Sequence, residues 1–400
     1  MKSATAFTYE LDDVERAVSE LTAQIREKLV FEKNTVAVLH AQPAIDLSGL
    51  AAALSRELGC DVVGGTIAGS AVFTNEGFHE LGLALHVITG GDVFFASAIS
   101  GSMEADPEKE IADTYHRARS LLREQDASAE PKLAFLITPP LGSCSPDSAV
   151  QILTEICVTV PIFGYAAADD FEFIDWRVFR NEVCDRDRML VLLFAGNIRP
   201  LFQVENLSTR KALKKNLITK THGNVISEID GKPAFEYIKN LPDFSSEASL
   251  LWHYHFFVDI QNNSKTETVS VCRSLNSHDE EKGEFSCFGD VPEDTTFGVL
   301  ACDDKDVKKS CELAMKEFAD KLAADESGYE YSTVLIVSCG MRNMYLVGAK
   351  ELEANLVRDM LPDGLVASGL YGFGEIAPVS TASGEEVNAF HNATFTMCAF

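Results

Sequence analysis

One order of elements, a strand followed by an acidic turn and an amphipathic helix, occurs three times along the 400 residues of this chain and commits it to sheets covered by helices. The opening strands are SATAFTYE at 3–10, DVFFASAIS at 92–100 and TTFGVLACD at 295–303. The helices that follow carry their apolar residues at Val14, Val18, Leu21, Ile25 and Leu29, at Ile111, Tyr115, Ala118 and Leu122, and at Val307, Cys311, Ala314, Phe318 and Leu322. Steps of four, three and four residues line one helix face. The spacing predicts equivalent helices over 12–29, 107–124 and 305–323, the second begun by Asp106 and Pro107 as cap and first-turn residue.

Each unit continues with a buried strand (TVAVLHA at 35–41, KLAFLITP at 132–139, TVLIVSC at 333–339), whose unbroken apolar run requires cover on both faces. A second helix follows at 47–58, 145–156 and 349–361, then a strand running into a Gly/Ala loop, then a closing strand. The last two strands are expected to pair as a hairpin. Between 199 and 294 the pattern changes to a short helix at GKPAFEYIKNL and alternating strands around LWHYHFFVDI, TETVSVCRSL and GEFSCFGDV. The predicted fold is therefore α/β: three diverged β-α-β-α-β-β units forming mixed sheets covered by helices, with an antiparallel-rich insert in the C-terminal half. The chain divides into 1–210, holding two units, and 211–400, holding the insert and the third unit, near the Lys-rich RKALKKN.

A formal charge of -27 repels phosphate backbones and anionic membrane surfaces, so neither nucleic acid nor a membrane is an expected partner. The N-terminal MKSATAFTYELDD lacks the apolar core of a signal peptide, and no stretch approaches eighteen uninterrupted apolar residues, which points to a cytoplasmic protein. The ten cysteines are scattered without a C-x-x-C pair and read as reduced core residues.

The three Gly/Ala loops are VVGGTIAGS at 62–70, VPIFGYAAAD at 160–169 and LVASGLYGFGE at 365–375, aligned at Gly65, Gly164 and Gly369 and reaching Ser70, Asp169 and Glu375. Glycine at a strand end admits close approach of either another backbone or a ligand, and both readings stand. A nucleotide phosphate site is disfavoured because these loops open strands, not helices. His253, His255 and Asp259 share one strand face, which makes the two histidines weak metal candidates, although a structural site wants four donors. Cys339, before Gly340 and Arg342, is the most suggestive thiol, yet no base is placed beside it.

The motifs VVGGTIAGS, FGYAAADD, DGKPAFEYI, LIVSCGMR, GLYGFGEIAP and FHNATFTMCAF together resemble the FIST (F-box and intracellular signal transduction) sensory domain over essentially the whole chain. The Gly374-Glu375 and His391-Asn392 pairs are the most specific matches; Gly69-Ser70 departs from the family's usual Gly-Glu. The resemblance implies FIST N-terminal and C-terminal halves and a small-ligand sensor for an amino acid or similar metabolite. With no output module in the chain, it signals through a separate partner such as a kinase. Haem-binding nitric-oxide sensing is the family's alternative, with His391, His253 and His255 as axial candidates; an enzyme or an interaction scaffold is the other. No catalytic residues and no cofactor are expected. The ligand site is expected at Gly369, Tyr371, Gly374, Glu375, His391, Asn392, Arg342, Cys339 and Asp169, with Glu375 taking an ammonium group, Arg342 a carboxylate, and Tyr371 forming a wall.

Overall fold

The computed structural model describes residues 1–43, 45–207, 216–241, 244, 253–261 and 266–400. Trp252 and nearly all of RKALKKN lie outside the described residues. The helices predicted from apolar spacing are Val14–Lys28, Pro107–Gln125 and Asp304–Ala324, each begun by an aspartate whose side chain accepts a first-turn backbone N–H (Asp13, Asp106, Asp303). They bury the predicted stripe: Leu21 and Ile25, Ile111 and Leu122, and Val307 and Phe318 are fully covered.

In the first unit the strands Lys2–Thr8, Asn34–Ala41, Asp61–Thr66 and Leu83–Gly90 do not end in a hairpin. The closing strand Leu83–Gly90 lies between the first two, antiparallel to both, while Asp61–Thr66 pairs parallel to Asn34–Ala41. The second unit repeats this order with Leu190–Gly196 between Val93–Ile99 and Pro131–Thr138. The hairpin expectation is thus corrected. A closing strand apolar on both faces belongs at the middle of a covered sheet, where it has a neighbour on each side.

The third unit brings a second correction. Its first strand is Leu201–Glu205, paired with the closing strand Phe395–Ala399, which in turn pairs with Thr333–Cys339. TTFGVLACD instead supplies the strand Thr295–Ala301 to a separate sheet. The insert therefore interrupts the third unit after its first strand. That strand is short and at a sheet edge, so its pattern is weak, whereas 295–301 reads strongly because it is buried in a second core.

That second core is a closed barrel, running in order through Asn216–His222, Thr295–Ala301, Tyr254–Gln261, Thr268–Asp279, Glu284–Cys287 and Val225–Ile229, which pairs back to the first. The short helix Ala234–Lys239 adds Phe235 and Ile238 to its interior.

The three units are interlocked in one cyclic sense. A hairpin of the first (Ala71–Thr74 and Gly77–Glu80) extends the sheet of the third, a hairpin of the second (Val178–Arg180 and Val183–Asp185) extends that of the first, and a hairpin of the third (Glu375–Ser380 and Glu386–His391) extends that of the second. The Gly/Ala loops meet where these crossings occur. Ala68 N–H donates to Tyr371 O (2.7 Å), Ala168 N–H to Thr66 O (2.9 Å) and Phe373 N–H to Ala166 O (3.0 Å), a ring of bonds in the same sense. Two of the aligned glycines are required by protein neighbours: a Cβ on Gly369 would stand 1.9 Å from the Phe73 ring, and one on Gly164, 1.8 Å from Leu136 O.

Candidate functional site at the junction of the units

Glu375 stands at the first position of its hairpin, directly after Gly374, whose φ of +127° turns the chain out of the third unit's sheet. It is fully buried. Oε2 accepts from Thr394 N (3.0 Å) and Thr394 Oγ1 (2.5 Å). Oε1 makes no hydrogen bond, and the Cys339 thiol lies beside the carboxyl group. Burial raises the Glu375 pKa to about 8 against the opposing pull of Thr394, so the group is a neutral acid at neutral pH.

Arg342, also fully buried, is not poised for a ligand carboxylate. Its Nε and Nη2 donate to Glu353 Oε1 at 2.8 and 2.7 Å, and Ser338 Oγ holds the other Glu353 oxygen at 2.8 Å. Tyr371 turns away into the helix-covered core beside Phe73, Asn343 and Glu353. His391 Nε2 meets Ala377 O at 3.1 Å, and burial lowers its pKa to about 4. Asn392 ties the third unit to the barrel: its Oδ1 accepts from Ser274 N (3.3 Å) and its backbone N–H donates to Cys272 O (3.2 Å). Asp169 uses both carboxylate oxygens on four backbone N–H groups, those of Glu172, Phe173, Ile174 and Asp175, at 2.7–3.1 Å.

Of the residues singled out in the sequence, Cys339 and Asn392 come together at a small cavity of about 20 Å³, with Glu375 behind Cys339. Gly372 and Met341 complete its inner wall, and Phe171, Phe173, Phe288 and Phe373 close the mouth. Phe373 lies inside the quoted motif GLYGFGEIAP, whereas Phe171 and Phe173 directly follow FGYAAADD and were not singled out in the sequence. Phe288 comes from the barrel, and nothing local in the sequence links it to the others.

A larger cleft, about 590 Å³, separates the second unit from the barrel. Buried Arg273 spans it, with Nη2 on Asp147 Oδ1, Nε on Asp290 O (2.8 Å) and Nη1 on Phe390 O (2.8 Å). Asp290 accepts from Ser145 Oγ at 2.6 Å, and burial raises Asp147 to about 6 despite Arg273.

His255 is buried with both ring nitrogens engaged, by Ser274 Oγ (2.9 Å) and Tyr345 Oη (2.8 Å), and burial lowers its pKa to about 3. Asp259 is taken by Thr296 Oγ1 at 2.6 Å. Among the described residues no three His, Cys, Asp or Glu side chains converge to hold a metal ion. His253, His255 and His391 line neither cavity.

Comparison with known families decides the class. The FIST N domain matches residues 34–232 and the FIST C domain residues 234–378. This chain belongs to the FIST family. FIST domains are signal-transduction sensory domains. No curated protein matches this FIST chain in sequence. Among solved structures it is similar to cyanuric acid hydrolase from A. caulinodans, at 8% identity and a TM-score of 0.37, covering 99% of this chain and 98% of that one. PurLQS from Thermotoga maritima aligns at 10% identity and a TM-score of 0.20, covering 100% of this chain and 72% of that one. None of the ten cysteines is in a disulfide, and no described helix is long and apolar enough to cross a membrane.

Proposed function

We propose that this FIST chain senses a small ligand, an amino acid or a metabolite of similar size, at the junction of Glu375, Cys339, Asn392 and the Gly372-Phe373 turn, and passes the signal to a separate output protein such as a kinase. The observation that carries this reading is the Glu375 carboxyl, fully buried with Oε1 unsatisfied beside a cavity wall. An unpaired buried polar atom costs about 1–3 kcal/mol, a cost that ligand binding would relieve.

Arg342 is engaged by Glu353, so a ligand carboxylate has to face the mouth of the cavity. An ammonium group needs the Glu375 carboxylate. Because burial holds this acid neutral up to about pH 8, binding an ammonium expels a proton, and affinity rises with pH toward that value by at most about tenfold per unit.

The test begins with a thermal-shift screen of amino acids, common metabolites and haem, since a ligand of the folded state raises the midpoint. Calorimetry on Glu375→Gln follows. The variant is expected to fold at least as well as the parent and to lose roughly 1.5–3 kcal/mol of binding free energy. Unchanged affinity removes Glu375 from the site. If affinity then falls instead on Asp290→Asn, the ligand belongs to the larger cleft, whose volume lies within the usual range for small-molecule sites.

A further inference from the structure

The cavity beside Glu375 has room for a single water and nothing larger, so any ligand there has to displace part of the wall. Cys339, Met341, Gly372 and Asn392 are buried and belong to strands, a strand end or the short helix Gly340–Tyr345, whereas Phe171, Phe173, Phe288, Phe373 and Met344 are half-exposed side chains. The wall that can yield is mainly aromatic.

Phe173 is the centre of that wall. Its ring stacks on Phe373 at 4.4 Å and 21°, and lies near-parallel to Phe288 at 5.6 Å and 20°. The three rings come from the second unit, the third unit and the barrel. Phe173 and Phe171 also have φ of +58° and +67°, a left-handed conformation that is strained for a bulky residue. Asp169 holds them there by accepting the N–H of Phe173 and of its neighbours. Strain of this kind persists only where the surroundings enforce it, and it gathers at ligand clamps.

We propose that Phe173 occupies the place of a ligand's ring: a ligand bearing a flat aromatic group displaces Phe173 from its stack on Phe373 and Phe288, and turns its polar end inward past Cys339 and Asn392 toward Glu375. This deepens the reading of the Glu375 junction as the ligand site and rests on it. Met341 and Met344 line the cavity, and thioether side chains suit the edge of such a ring. Displacement of the Phe173 ring strains the loop that Asp169 holds and that runs into Val178–Arg180, the strand paired with Val63, Gly64 and Gly65 of the first unit, so binding is felt in a second sheet.

The experiment compares L-phenylalanine, L-leucine and indole by calorimetry on the parent, Phe173→Ala and Phe173→Leu, each variant first shown to melt cooperatively. Phenylalanine is expected to bind, leucine at least about tenfold more weakly, and Phe173→Ala to tighten phenylalanine by roughly tenfold, the factor that one aromatic stack of about 1.4 kcal/mol is worth. Phe173→Leu, which fills space without stacking, should tighten it less. Equal binding of leucine and phenylalanine, or an unchanged affinity in Phe173→Ala, overturns the aromatic inference and leaves the amino-acid reading intact. Indole binding without phenylalanine binding supports the inference and removes the amino-acid reading. Failure of both ring-bearing probes on all three proteins overturns the inference, while the wider screen still judges the junction.

Discussion

The second and third units each end their Gly/Ala loop in an acid, and the two acids have opposite fates. Asp169 lies at the start of a loop whose next residues fold back over it, so its carboxylate collects four backbone N–H bonds. Glu375 begins a strand that leaves at once for another unit's sheet, so its own chain offers no amides and a single residue, Thr394, satisfies one oxygen. The first acid is a staple and the second is a buried polar atom held in reserve. What separates them is the path of the chain immediately after the acid.

The largest effect at a single pH that would break this comparison by destabilising the fold belongs to Asp169. Asp169→Ala removes four bonds to a charged group, each worth about 1.5–3 kcal/mol singly and less together, and is expected to destabilise the fold by roughly 3 kcal/mol or more in denaturant unfolding. A loss below about 1 kcal/mol would mean that the loop holds its own shape.

Glu375→Gln should act in the other direction. The folded-state pKa, about 8, lies above the ordinary 4.5, so the folded chain retains a proton that the unfolded chain has lost, and this group makes stability fall as pH rises from about 4.5 to about 8. The variant removes that slope. Its stability relative to the parent should grow across this window by at most about 1.4 kcal/mol per pH unit and level off above it. Melting curves of both proteins at a series of pH values check this; a constant difference would show that Glu375 titrates normally.

The smallest effect concerns the first unit, where Ser70 Oγ donates to both oxygens of Asp170 at 2.8 and 2.7 Å. Ser70→Ala should cost about 1 kcal/mol, as expected for one partly buried hydrogen bond. A cost as large as that of Asp169→Ala would place the first loop with the staple instead.

The helices were legible in the sequence because apolar spacing and an aspartate cap are local, and Val307, Cys311, Ala314 and Phe318 lie on one face wherever the helix docks. The buried strands were equally plain, since a run such as TVLIVSC has to be covered on both faces whatever covers it. Family membership was carried by short motifs, and these also held Cys339, Glu375 and Asn392. Pairing order was not legible. Each closing strand has the same composition whether it forms a hairpin or lies at the middle of a sheet, and the short edge strand Leu201–Glu205 is recognised as part of the third unit only through its register with Phe395–Ala399, nearly two hundred residues later. The polar partners were decided at the same level. A sequence shows that Arg342 and Glu375 are ionisable residue types, but whether they face a ligand or the interior depends on Glu353 and Thr394 arriving beside them, because a hydrogen bond forms only within about 3 Å and tertiary packing alone fixes that distance.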